Sequence, residues 1–381
     1  MSKFLNNLGN NLTNLSEKKL IFLLFAIALF KTGLWYHPGL WNMLEIAKNP
    51  FENVFGGEVG KYYLYSSWLS PYIAYLLNLT NKLSFFILHL LMALSFLIAF
   101  IFLIKKMVGK KYQKTSLIIF FIFPVSMTSI YWIGYDSLLL LLFTIAIYFN
   151  KNIFVNIACS VGIGLQHFEI GIVSIGILLV YKILEKIFNS NEKNNNISFL
   201  FIAIFFVGVI CGKIILYNIY AEAYLAEGRF NWIYNALHHL IYNFYFNLYT
   251  ILWFSLGVGW FIILKYFLEK KNRYPLILSL LLLFVIMPLV DDHTRVYSAC
   301  SFMLITYCII CNDNFLKTIK KKELALIFII WVMLPYGWVW QGHLRESMFQ
   351  YNLAYVLDYF FDIFNTSVKS STIWPFGRFG R

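Results

Sequence analysis

The sequence predicts an all-α fold, a polytopic membrane helix bundle of about eleven or twelve transmembrane or interfacial helices. Three observations carry that prediction. First, 60% of the residues are hydrophobic and only 13% are charged, against about 25% charged in soluble domains. Second, apolar runs recur along the chain, many of them near the ~20 residues that cross a bilayer as a helix. Third, the lysines and arginines behind the net charge of +13 gather in short turns between those runs. That is the pattern of cytoplasmic loops, not of a nucleic-acid-binding face. The runs are continuously apolar, which excludes the alternating strands of an outer-membrane barrel. No soluble domain and no internal repeat is visible, so residues 1–381 read as one integral membrane domain. Abundant Asn, Lys, Ile and Phe suggest an AT-rich, bacterial coding sequence, hence a multi-pass protein of a bacterial inner membrane.

The charge rule orders the elements. Lys3, Lys18 and Lys19 precede the first run, 20–36, and put the N-terminus in the cytoplasm; the first 18 residues are polar and show no cleavable signal. Residues 37–80 form an aromatic-rich outer segment. Run 82–104 returns to Lys105, Lys106, Lys110, Lys111 and Lys114. Run 115–133 goes out to Gly134-Tyr135-Asp136, and 137–149 comes back to Lys151. Run 152–165 goes out to Gln166-His167-Phe168-Glu169, and 170–187 returns to Lys186 and Lys193. Run 198–217 leads to a second outer segment, 218–243, from which 244–266 returns to Lys270, Lys271 and Arg273. Run 275–290 goes out to Asp291-Asp292-His293-Thr294-Arg295, and 296–311 returns to Lys317 and Lys320. Run 324–340 goes out to His343, Arg345 and Glu346; residues 351–366 form either a twelfth span or an interfacial helix. Five cysteines lie in or beside apolar runs without CxxC spacing, so neither a disulfide framework nor a zinc site is expected.

This topology rests on Lys and Arg outside the polar motifs, yet it sends those motifs to one side. Glu58, Asp136, Gln166, His167, Glu169, Asp291, Asp292, His293, Arg295, His343 and Arg345 all fall on the outer face. Ionisable groups at the mouths of membrane helices are costly and mark functional sites. Plain structural alternatives stand beside each. Asp136 could cap the helix that follows it, and Asp291 and Asp292 the next one. His167 could bond a neighbouring helix, Glu169 could pair with a cation, Glu58 could sit in a solvated loop, and His238-His239 could lie at the interface. Carboxylates and His suit general-base work on a hydroxyl, and Arg offers a forked donor for phosphate. No P-loop or Gly-rich dinucleotide fingerprint is present, which fits a sugar donor carried on lipid.

The order of features resembles the GT-C superfamily of membrane glycosyltransferases. There an acidic residue lies in the first outer loop, matched here by Glu58 in Gly56-Gly57-Glu58-Val59-Gly60-Lys61-Tyr62-Tyr63; the first outer loop has no Asp, so the acid falls to Glu58. Pro124 and Tyr135-Asp136-Ser137-Leu138-Leu139-Leu140 are similar to that family's third-to-fourth helix turn. The chain also looks like Wzy-type O-antigen and exopolysaccharide polymerases, with His167 and Arg295 at the positions of an outer His and a late Arg. The resemblance implies a periplasmic-face enzyme that uses an undecaprenyl phosphate- or pyrophosphate-linked sugar and a glycan acceptor to polymerise or extend a surface polysaccharide such as lipopolysaccharide O-antigen. Glu58, Asp136, His167 and Glu169 are then the catalytic candidates. Arg295, His293 and Arg345 would hold the carrier phosphate, and Asp291 and Asp292 would orient Arg295 or bind a divalent cation. The alternatives are a transferase of single sugars and a lipid-linked sugar transporter or flippase.

Overall fold

The computed structural model describes residues 2–56, 58–188, 197–221, 229–269, 274–334, 336–340 and 343–346. It is mostly helical. Among the described residues, three helices are long and apolar enough to cross a membrane, α5 (Lys82–Met107), α9 (Ile153–Ile187) and α10 (Phe199–Ile219). Two bent pairs extend the count to five if each pair is one span. In the first, α6 (Gln113–Ile122) meets α7 (Pro124–Tyr131) at 61°. Phe123 precedes a proline and is driven out of the helical region, to φ −70° and ψ 138°. In the second, α12 (Leu248–Leu256) and α13 (Gly259–Glu269) meet at 80° across Gly257, whose φ of +52° suits a residue without a side chain. The remaining helices are α1 (Ser2–Asn14), α2 (Glu17–Thr32), α3 (Leu40–Lys48), α4 (Leu69–Leu76), α8 (Tyr135–Tyr148), α11 (Arg229–Phe246), α14 (Tyr274–Ile286), α15 (His293–Ile305), α16 (Asp313–Leu316) and α17 (Lys321–Met333).

Short strands add two pairings. β1 (Trp35–Tyr36) runs parallel to β2 (Trp132–Ile133), with Trp35 opposite Trp132. β3 (Gly337–Trp340) and β4 (His343–Glu346) form an antiparallel hairpin.

Several expected elements change shape. The first polar residues form helix α1, which packs along α17 through Gly9 and Lys321. The first apolar run ends as a helix at Thr32 and passes into β1. The run expected over 324–340 stops being helical at Met333, and its end becomes β3. Leu334, which precedes a proline in the sequence, is extended at φ −80° and ψ 137°, the conformation that a following proline imposes. The outer segment 37–80 holds α3, a 3-10 turn (Val59–Ser67) and α4. Part of the expected outer segment 218–243 belongs to α11, and residues 351–366 lie outside the described residues.

Runs 152–165 and 170–187 are the two arms of α9, which breaks at His167 (φ −166°, ψ 83°). The arms fold back on each other. A Cβ placed on Gly171 would lie 2.6 Å from Cγ2 of Ile163, whereas eight residues of straight helix separate two positions by about 12 Å. The two ends of α9 remote from His167 also reach the same region. Asn156 donates to the carbonyl of Asn150 at 3.0 Å, Asn150 bonds Tyr307, and Tyr181 bonds the adjacent Cys308. Close packing of α10 along both arms depends on small residues: Gly164 and Gly212 meet backbone to backbone, and Gly171 rests against Val209.

The helices thereby acquire two distinct ends. At one end the lysine-rich turns are tied together. Lys105 pairs with Glu17 at 2.6 Å, Lys114 donates to the carbonyl of Thr13 at 2.7 Å, and Lys321 donates to Asn10 at 2.8 Å. Lys106 reaches the carbonyl of Tyr148, the last residue of α8. The first turn of α8, about 20 Å away along its axis, carries Asp136. The acidic and imidazole motifs therefore occupy the end opposite the lysines.

Candidate functional site

Three elements converge at that end. The β1–β2 pairing brings the chain after Tyr36 beside the turn that leads into α8, where the N–H of His37 donates to the carbonyl of Ile133 at 2.9 Å. Gly134 is required at this crossing, because a Cβ there would lie 2.8 Å from Cβ of His37. The break in α9 supplies Gln166, which clamps the turn: its Nε2 donates to the carbonyl of Tyr135 at 2.9 Å, and its Oε1 accepts from the N–H of Ser70 at 2.9 Å. The start of α15 is steadied by β3, since the N–H of Val339 donates to Oγ1 of Thr294 at 3.0 Å.

At the centre lies Arg295, 8% exposed. Its Nη1 donates to Oδ2 of Asp136 at 2.5 Å, and its Nε donates to Oδ2 of Asp292 at 2.5 Å. The guanidinium also faces the Tyr135 ring, 5.6 Å from its centroid. Asp136 is 3% exposed, and its second oxygen has no partner among the described residues; neither has Oδ1 of Asp292. Asp136 does not hold the cap position expected of it, whereas Asp292 does. Gly134 occupies the N-cap of α8, and Asp292 occupies that of α15 without making a side-chain cap hydrogen bond. Each carboxylate instead gives one oxygen to the arginine.

No protein family, curated protein or solved structure matches this chain.

His167 sits beside this centre. Its ring lies 6.3 Å from that of Tyr135, and its Nδ1 is 3.4 Å from Oε2 of Glu169. Glu169 thus has an imidazole among its neighbours. His293 is fully buried, packs 5.8 Å from the ring of Phe244, and leaves both ring nitrogens without a hydrogen bond among the described residues. Asp291 precedes Asp292 in the loop that enters α15, and its Oδ1 is buried. Arg345 stands opposite Trp338 in the β3–β4 register; its side chain lies outside the described residues.

Glu58 does not join the cluster. It precedes the 3-10 turn, is 65% exposed, and pairs with Lys61 at 2.6 Å. His238 and His239 lie on α11, where His239 bonds Asn243 at 2.9 Å.

Two residues that sequence reasoning passed over complete the site. Tyr135 places its hydroxyl 2.9 Å from Nε2 of His37, while Nδ1 of His37 accepts the N–H of Gly39 at 3.1 Å. Burial, seconded by the charge of Arg295, pushes the His37 imidazole down to about 3, so it is neutral at physiological pH. The Trp35-Tyr36-His37-Pro38-Gly39 run was the available signal, a histidine in a turn directly after the first apolar run.

Arg295 already stands between the carboxylates of Asp136 and Asp292.

Proposed function

We propose that this chain is a membrane glycosyltransferase that takes a sugar from a polyprenyl phosphate or pyrophosphate carrier, with its site on the face of the membrane opposite the lysine-rich turns. The observation that carries the reading is the buried Asp136–Arg295–Asp292 group, in which each carboxylate keeps one oxygen without a partner among the described residues. A carboxylate with an open oxygen in a dry, rigid setting is suited to accept a proton from a hydroxyl. Asp136 is the base. It takes the proton of the acceptor hydroxyl, the acceptor oxygen bonds to the anomeric carbon, and the bond from that carbon to the carrier's phosphate oxygen breaks. The phosphate leaves with the electron pair. Arg295 favours the ionised form of both carboxylates and fixes them in place.

The same geometry revises the role expected of Arg295. Its Nε and Nη1 are already committed to carboxylates, and two acids around one guanidinium leave a net negative centre. A further negative charge about 5 Å from an uncompensated carboxylate costs on the order of 3 kcal/mol at an effective dielectric of about 20. The carrier phosphate is therefore assigned away from this centre.

The test uses a strain lacking the chain, with its surface polysaccharide run on a gel. Loss of long chains with a single repeat unit retained marks a polymerase; full-length chains lacking one sugar mark a single-sugar transferase. Unchanged polysaccharide refutes the enzyme reading. One observation favours transport as the alternative, because the helices bent by 61° and 80° resemble the interrupted helices of transporters. Build-up of complete carrier-linked units on the cytoplasmic side would decide for it.

A further inference from the structure

The hydroxyl of Tyr135 has a direction that its neighbours decide. The N–H of Gly39 donates to Nδ1 of His37, so that nitrogen carries no proton. A neutral imidazole then holds its hydrogen on Nε2 and donates it to the Tyr135 oxygen, 2.9 Å away. The tyrosine's own hydrogen cannot lie along that line. It belongs to a residue 5% exposed and has no acceptor among the described residues. The same ring faces Arg295 on one side and lies near His167 on another. Oδ1 of Asp136 and Oδ1 of Asp292 are buried acceptors in the same cluster, and both lack donors among the described residues.

One directed donor beside two acceptors is the complement of a sugar, whose hydroxyls each donate and accept. Phosphate offers oxygens alone and adds negative charge to a centre that already has an excess of it. We propose that Tyr135, held by His37, donates to a hydroxyl oxygen of a bound sugar whose other hydroxyls donate to Asp136 and Asp292. The cluster is then the sugar subsite. His37 acts as a positioning residue, and Tyr135 touches the ligand. This rests on the glycosyl-transfer reading and deepens it by naming what the cluster recognises.

The experiment is saturation-transfer NMR on the purified full-length protein, in a detergent without a sugar headgroup. The probes are the methyl glycosides of glucose, galactose, mannose and N-acetylglucosamine, with inorganic phosphate as competitor. At least one glycoside binds saturably, and excess phosphate does not displace it. Tyr135→Phe keeps the ring beside Arg295 and removes only the hydroxyl; it weakens binding about tenfold, the loss expected for one buried hydrogen bond. His37→Phe weakens binding to the same extent, whereas His37→Gln, whose amide can still donate to Tyr135, recovers most of it. That rescue separates positioning from mere packing. Wild-type affinity in Tyr135→Phe overturns the proposal, as does displacement by phosphate or the absence of binding by every glycoside. Equal loss in both His37 variants removes His37 from it. Sugar binding in a protein whose deletion leaves the polysaccharide unchanged would sink the transfer reading and keep the subsite.

Discussion

Arg295 is the residue on which the site turns, because two buried acids depend on one guanidinium. Removing one partner of such a buried group leaves uncompensated charge, at a cost of about 3–5 kcal/mol. Arg295→Ala is expected to lower the melting temperature in detergent clearly and to abolish function. Arg295→Lys keeps the charge but not the fork that reaches two carboxylates. It is expected to melt closer to wild type and still lose function, and wild-type function in the lysine variant would contradict the account. His37 gives a pH signature. Its folded-state value, about 3, lies below the ordinary 6.5. Its contribution to stability is therefore complete above pH 6.5 and declines as the pH falls from there toward 3, because only the unfolded chain takes up the proton. Melting curves between pH 7 and pH 4 should fall more steeply for wild type than for His37→Gln; parallel curves would show that His37 is not buried and neutral.

At the scale of elements, the site depends on a helix that doubles back. The arms of α9 and the helix α10 approach so closely at Gly164 and Gly212 that a side chain at either would strike backbone. Gly212→Leu should destabilise by about 1–3 kcal/mol or more through overpacking, read as a lower melting temperature together with loss of the His167 position. A variant as stable as wild type would mean that α10 does not pack there. This reversal was legible in part. The short runs 152–165 and 170–187 and the polar Gln166-His167-Phe168-Glu169 between them marked two arms with a turn, and charge placed that turn with Asp136. Other features were not legible, for physical reasons. Two-residue strands have too few positions to show a period, so the pairing of Trp35 with Trp132, and with it the arrival of His37 beside Tyr135, left no pattern. The conversion of the run after Met333 into β3 did have a signal, Pro335, which hydropathy alone overrides. Glu58 shows the limit of position in the chain as evidence: it lies in the expected outer segment, but the local 3-10 turn points it to solvent and Lys61.

At the scale of the whole molecule, the ion pairs and hydrogen bonds of the lysine-rich turns gather at one end, and Asp136, His167 and Arg295 meet at the other. With the positive-inside rule, that polarity supports the proposal that the site faces away from the cytoplasm. In intact cells, with the native cysteines replaced, a membrane-impermeant maleimide should label Glu52→Cys and spare Lys111→Cys; the reverse pattern would invert the orientation. The most direct test of the central claim is complementation of the deletion strain with Asp136→Asn, a change that keeps shape and removes the base. At membrane levels equal to wild type, the account predicts that the surface polysaccharide stays as defective as in the deletion. Restoration of the wild-type ladder by that variant would contradict it.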